Sequence, residues 1–151
     1  MLDSDLLSPA RILAGVRINS KKRLFEQIST TFTKKSPDLN FREIFESICA
    51  REHLGSTALG NGIAVPHGRI DGTEEVQALF LQLIKPLPFD ADDGKPVDLI
   101  FALIMPSECT VGHKKLLSDI VERFSEPELL EQLRGAADAK EIWELLSSSH
   151  T

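Results

Sequence analysis

Two nearly uninterrupted apolar runs, Ala78 to Ile84 and Val97 to Met105, constrain this chain more than any other feature. Each is too short for a well-packed helix pair and each is closed by a proline, so both read as buried strands. Between them, Lys85-Pro86-Leu87-Pro88-Phe89 and Asp92-Asp93-Gly94 supply turn chemistry, with room for one short strand.

Helical spacing flanks this centre on both sides. Ser20 followed by Leu24, Phe25, Ile28 and Phe32 predicts an amphipathic helix that breaks at Ser36-Pro37. Asn40 with Glu43 three residues on is a capping-box pattern opening a second helix, whose stripe is Phe41, Ile44, Phe45 and Ile48. That helix stops at Gly55 and carries Arg51 and His53 in its last turns; Cys49 lies on its apolar side, where burial is expected. After the strands come a stripe of Leu116, Leu117, Ile120, Val121 and Phe124, then a helix begun by Pro127 and ended near Gly135. A closing helix follows, with the Asp138/Glu141 capping pair and Ile142, Leu145 and Leu146 as its apolar face. Helices before and after a strand-rich centre imply an α/β fold with helices on both faces of one sheet, in a strand order that spacing does not give.

With 151 residues, 42% of them hydrophobic, the chain has the size of one domain spanning 1–151 and can bury a core without disulfides or a structural metal. Seventeen basic against 23 acidic residues leave a net charge of −6, the wrong sign for a nucleic-acid function. Met1 to Leu7 reads neither as a signal peptide nor as an anchor, and no apolar run reaches membrane-spanning length. Cys49 and Cys109 are isolated in sequence, so reduced thiols and a cytoplasmic setting are expected.

The chemistry concentrates between Gly55 and Gly68, where glycines and Pro66 surround a brief β-compatible run, Ile63-Ala64-Val65, with His67 expected just past its end. Two readings stand open. In one, the glycines satisfy backbone geometry and the histidine merely caps a strand. In the other, His67 is a nucleophile: an imidazole that is largely neutral near pH 7 has a lone pair for phosphorus, and a phosphorylated ring nitrogen leaves well. Glycine backbone can approach a dianionic group closely, and Pro66 limits the positions of the ring. Such a site needs a cation, for which Arg51 and Arg69 are the nearby candidates. His113, in Thr110-Val-Gly-His113, is placed to face the same cleft from a loop or first helical turn. His53 and His150 read as structural or solvent-facing.

Other chemistries fit less well. Cys109 and His113 are four apart, but no paired Cys or His-Glu-x-x-His pattern supports zinc. The glycine stretch lacks the Gly-Lys-Ser/Thr ending of a P-loop, and Gly60-Asn61-Gly62 does not open a helix after a strand as dinucleotide binding requires. Ser56 has no acid and base arranged around it in sequence. Nothing indicates a metal or an organic cofactor.

The run Arg51-Glu52-His53-Leu54-Gly55-Ser56-Thr57 through Gly60-Asn61-Gly62-Ile63-Ala64-Val65-Pro66-His67-Gly68 resembles the active-site signature of fructose/mannitol-type EIIA domains of the bacterial phosphotransferase system. Phe89-Asp90, Pro96-Val97-Asp98-Leu99, Phe101-Ala102-Leu103 and Pro106 extend the likeness over nearly the whole chain, towards the stand-alone nitrogen-regulatory EIIA (EIIA-Ntr) proteins. The resemblance implies one EIIA type 2 domain with a mixed, largely antiparallel sheet between helices, an α/β sandwich. It implies that His67 accepts a phosphoryl group, as tele-phosphohistidine, from an HPr-like carrier (NPr) charged by Enzyme I from phosphoenolpyruvate. Arg51 matches the family's site arginine, Thr57 its hydroxyl residue near the histidine, and His113 its second histidine. Two departures stand out: Lys114-Lys115 replaces a more apolar continuation, and Ala58 stands where relatives commonly have glycine. Fused sugar-transport domains are not expected, and the implied output is phosphorylation-dependent regulation of targets in nitrogen or potassium homeostasis. Two alternatives are a sugar-specific EIIA that passes phosphate to a separate EIIB permease domain and a pure regulatory binding module.

Overall fold

A computed structural model of the chain describes residues 6–108 and 110–147. A single 3-10 turn, Pro9–Arg11, leads into β1 (Ile12–Val16), then α1 (Lys21–Lys35) and α2 (Phe41–Leu54). Four strands follow in succession: β2 (Ala58–Gly60), β3 (Ile63–Ala64), β4 (His67–Ile70) and β5 (Gln77–Leu87). β6 (Val97–Pro106), α3 (Val111–Arg123), α4 (Pro127–Gly135) and α5 (Ala139–Ser147) complete the order. No strand forms between Leu87 and Val97, where one short strand was expected: the turn residues there fill the whole connection. Among the described residues, no helix is long and apolar enough to cross a membrane.

The sheet runs β1-β5-β6-β3-β2, with β4 also on β6. Its long central ladder, β5 against β6, is antiparallel; β1 joins β5 in parallel, and β3 and β4 join β6 in parallel. The near-continuous apolar character of β5 and β6 follows from burial on both faces. Phe80, Phe101 and Leu103 point into a core roofed by α3, α4 and α5. Their neighbours Leu79, Leu81, Ile100, Ala102 and Ile104 point the other way, under α1 and α2. Helices on both faces of one mixed sheet, as the order of elements suggested, are therefore the observed architecture, in keeping with the α/β sandwich that the resemblance implies. Cys49 departs from expectation in being only partly buried, at the margin of the α1/α2 core.

The helix starts follow local chemistry. Ser20 and Asn40 accept from the backbone N–H of Arg23 and Glu43, and Asp138 accepts from Glu141. Neither Glu43 nor Glu141 closes its capping box. Glu43 accepts from the Asp71 N–H of the loop after β4, and Glu141 from the Ala137 N–H. β1 was not foreseen. It is short, and Gly15, at φ +64, interrupts its register with β5; the side chain of Gln82 accepts from the Gly15 N–H and donates to the carbonyls of Leu133 and Ala136.

The β2–β3 hairpin sets the path into the histidine. Asn61 and Gly62 both have positive φ (57° and 85°), as a two-residue turn between twisted strands demands. The turn is held from two sides: Asp93 accepts from the Asn61 N–H at 2.8 Å, and Arg134 donates to the Asn61 carbonyl and to both oxygens of Asp98. The Gly62 carbonyl accepts from Asp98 and Leu99, which fixes the start of β3 on β6. A β-carbon on Gly62 would overlap Arg134 Nη2, and the positive φ there disfavours any side chain. Gly62→Ala is expected to lower unfolding stability by about 1–3 kcal/mol. Gly135→Ala, where a β-carbon meets nothing within 4 Å, should leave it unchanged or slightly raised. Equal urea midpoints for the two variants would contradict this account.

Candidate functional site

β3 and β4 lie in succession along one edge of β6, Ile63 opposite Leu99 and His67 opposite Leu103. The break between them is Val65-Pro66. Proline has no N–H to give to a ladder. The chain instead turns its Val65 N–H to the Thr57 carbonyl just before the outer strand β2, while the Pro66 carbonyl accepts from Leu103. Pairing resumes at His67, which therefore opens a strand rather than following one as the sequence suggested.

The imidazole is fixed by the same short segment. Nδ1 of His67 lies 2.9 Å from the Val65 carbonyl, which can only accept, so Nδ1 carries the proton and donates. In the neutral ring Nε2 then has the free lone pair. Burial is the main influence holding the ring's pKa below its ordinary 6.5; Arg51 and Arg69 push the same way, while the Val65 hydrogen bond and Glu52 oppose them.

The ring of His67 lines two hollows. One, of about 500 Å³, is bounded by the second half of α2, the start of β4, the end of β6 and the first turns of α3. Arg51, Arg69, His113 and Lys114 reach it over the apolar surfaces of Leu54, Met105 and Leu117, and among the described residues no carboxylate lines it. The other, of about 210 Å³, has Arg51, Ser56, Thr57, Val65 and Leu117 in its wall. In a chain with net charge −6, this local excess of cations marks a place for an anion. A separate hollow of about 390 Å³ beside the Asn61-Gly62 turn contains Arg134 and Lys95 but no histidine, and its Arg134 is occupied by Asp98, Glu131 and the Asn61 carbonyl.

Gly68 lets α2 approach this closely. A β-carbon there would lie 2.5 Å from Ser47 Oγ and 3.1 Å from the Ile48 nitrogen. Ser47 in turn donates to the Arg69 carbonyl, riveting α2 to β4 one turn before Arg51. The guanidinium of Arg51 donates through Nη1 to the Gly55 carbonyl at the end of its own helix. No ion pair occupies it among the described residues, and its other donors remain available to a ligand.

His113 is the third residue of α3, where its Nδ1 accepts from the Thr110 N–H and its own N–H donates to Thr110 Oγ1. With Nδ1 accepting, the neutral ring has its proton on Nε2. The two histidines of the cleft thus hold opposite tautomers, a nucleophilic nitrogen on His67 and a donor N–H on His113. Thr57 is 5% exposed, and its hydroxyl donates at 2.6 Å to Glu52. Ser56 donates to the Phe89 carbonyl, a structural role.

Sequence reasoning passed over Glu52 and Lys21. The Glu52 carboxylate, 7% exposed, accepts from the Thr57 N–H and hydroxyl and pairs with Lys21 at 3.0 Å. The Lys21 ammonium also lies over the Phe89 ring, 4.4 Å from its centre. The available signal was an acid in the last turn of a helix, where the dipole disfavours it. Of the zinc reading, Cys109 lies outside the described residues; among those described, no group of three or more potential ligands could hold a metal ion.

Comparison with known proteins places this geometry. Residues 5–149 match the family model described as "Phosphoenolpyruvate-dependent sugar phosphotransferase system, EIIA 2". A "Nitrogen regulatory protein" of Pseudomonas aeruginosa is 40% identical over 141 residues, covering 93% of this chain and 92% of that protein. The crystal structure of nitrogen regulatory protein IIA-Ntr from Neisseria meningitidis superposes with a TM-score of 0.88 at 38% identity, covering 95% of this chain and 97% of that one. IIA mannitol from Escherichia coli, at 21% identity and a TM-score of 0.76 over 93% and 99% of the two chains, shares the fold.

Because the folded state resists protonation of His67, the unfolded chain takes up that proton first as pH falls. The contribution to stability is present above about 6.5 and is lost as pH drops from there through the lowered folded value. His67→Gln is expected to lack this part of the acid sensitivity, and the imidazole titration followed by NMR should have its midpoint below 6.5. A midpoint at or above that value would contradict the description.

Proposed function

The chain belongs to the EIIA type 2 family of the phosphoenolpyruvate-dependent sugar phosphotransferase system, and on that premise we propose that it is a phosphoryl carrier working through His67. The donor in this reading is the phosphohistidine of an HPr-like carrier of the nitrogen-related branch (NPr), charged in turn by Enzyme I from phosphoenolpyruvate. One observation carries the reading most: His67 has its Nδ1–H committed to a carbonyl, in a cleft lined by three cations and, among the described residues, no carboxylate.

In the transfer, the Nε2 lone pair of His67 attacks phosphorus, and the bond from phosphorus to the donor's ring nitrogen breaks with its electron pair returning to that ring. The ring of His67 acquires positive charge, which strengthens the Nδ1–H bond to the Val65 carbonyl. Arg51 is the guanidinium that would meet the phosphoryl oxygens, and His113 offers a further N–H donor from the same cleft. Thr57 supports the turn behind His67, its hydroxyl being bound to Glu52. Little else is required, since phosphoryl transfer between nitrogen atoms rests on positioning and charge stabilisation.

The same step supplies a regulatory signal. A phosphoryl group brings up to two negative charges into a cleft that is otherwise cationic, which offsets most of the positive charge presented to a partner. Similarity to nitrogen regulatory proteins supports a regulatory output; targets in nitrogen or potassium homeostasis are part of the proposal.

Incubation with phosphoenolpyruvate, Enzyme I and an HPr-like carrier is expected to give an acid-labile phosphoryl adduct that His67→Ala abolishes. A wild-type protein that never labels would end the phosphocarrier reading. Arg51→Ala is expected to slow labelling roughly 100-fold, while changing unfolding stability by no more than about 1 kcal/mol. Unchanged labelling rates would remove Arg51 from the mechanism.

A further inference from the structure

We propose that Glu52 is a positioning residue for His67, acting through Thr57 and Val65 to hold the imidazole with Nδ1 as donor and Nε2 as the open nitrogen. The proposal rests on His67 being the phosphoryl acceptor.

A continuous hydrogen-bonded path carries it. Lys21 Nζ meets Glu52 Oε2 at 3.0 Å; Glu52 receives the Thr57 hydroxyl at 2.6 Å and the Thr57 N–H at 3.2 Å. The Thr57 carbonyl receives the Val65 N–H at 3.0 Å, and the Val65 carbonyl receives the His67 Nδ1–H at 2.9 Å. Each link joins groups that are close in space but come from α1, α2, the loop after it, β2's approach and β4. Without the Thr57 anchor, the Val65 residue has one fewer restraint, because Pro66 cannot hold the segment by an N–H of its own. The carbonyl that selects the tautomer of His67 is therefore fixed from the far side by Glu52.

The charge has a use as well as the geometry. The groups facing the ring are Arg51 from α2, Arg69 from β4, and His113 and Lys114 from α3, all cationic or neutral; Glu52 is the acid near it. Its negative charge favours proton affinity at His67 and so offsets part of what burial and the arginines remove. A nitrogen made too weakly basic would also be a weak nucleophile toward phosphorus. Lys21, reaching from the first turn of α1 and seated on Phe89, pairs with this buried carboxylate at 3.0 Å. A buried acid beside a site for a dianion would otherwise only repel its ligand.

The test compares Glu52→Gln and Glu52→Ala with wild type by two readouts: the maximal labelling rate against donor concentration, and the ring ¹⁵N shifts of His67 across pH. Glu52→Ala is expected to lower the maximal rate roughly 10- to 100-fold, the usual cost of losing a group that orients a site residue. The half-saturating donor concentration should stay unchanged, while the ¹⁵N shifts move toward a mixture of tautomers and the titration midpoint falls. Glu52→Gln, which keeps an acceptor for the Thr57 hydroxyl but loses the charge, should fall between, with a lowered midpoint and a less altered tautomer ratio. Thr57→Val should disturb the tautomer ratio, and Thr57→Ser should restore it. If Glu52→Ala does not fold, Glu52→Gln and Thr57→Val supply the same two readouts. Wild-type rates together with wild-type ¹⁵N shifts in the folded variants overturn the proposal. Failure of the wild type itself to label would strike the phosphocarrier reading instead, and the ¹⁵N shifts would still decide whether Glu52 sets the ring.

Discussion

The architecture depends on β6. This strand is buried along most of its length on both faces, holds β5 on one edge, and carries β3 and β4 one after the other on its second edge. Two-sided burial obliges the chain to supply helices above and below, and that obligation decides where the site can be. From Leu99 to Leu103 the strand advances about 13 Å. Over that span the neighbouring chain passes from the clamped hairpin to the histidine. The cleft then opens where α2 on one face and the start of α3 on the other reach the end of β6 together.

Local signals were read correctly where they act alone. Ser20, Asn40, Pro127 and Asp138 begin helices through bonds to, or geometry of, residues within the next turn, so spacing suffices to find them. β1 was invisible because its pairing partner lies far along the chain and Gly15 interrupts the pattern. The β2–β3 hairpin was overlooked for a different reason. Its Asn-Gly turn signal is present, but arms of three and two residues are too short to show alternation. The end of the strand at Pro66 was legible; its resumption at His67 was not, because that depends on Leu103 offering a place in the ladder.

The site divides along the same line. His67, Arg51, Thr57 and His113 were named from a motif, and the structure brings His67, Arg51 and His113 to one cleft and Thr57 to the hollow behind it. What the motif did not disclose is how each group is used. Thr57 turns its hydroxyl away to a carboxylate, and His113 uses one nitrogen to cap its own helix. Glu52 and Lys21 escaped notice because their meeting requires α1 and α2 to pack, a relation that no spacing of residues encodes.

The Asn61-Gly62 turn also bears on how long the molecule keeps its native covalent structure. Asn-Gly is the pair most prone to spontaneous deamidation, in which the glycine nitrogen attacks the asparagine side-chain amide and leaves a succinimide. That attack requires the peptide to rotate toward the side chain. Here the Asn61 N–H is held by Asp93 and the Asn61 carbonyl by Arg134, while the Gly62 carbonyl is bound into β6. The contacts that shape the hairpin therefore also oppose the rotation on which its chemical ageing depends.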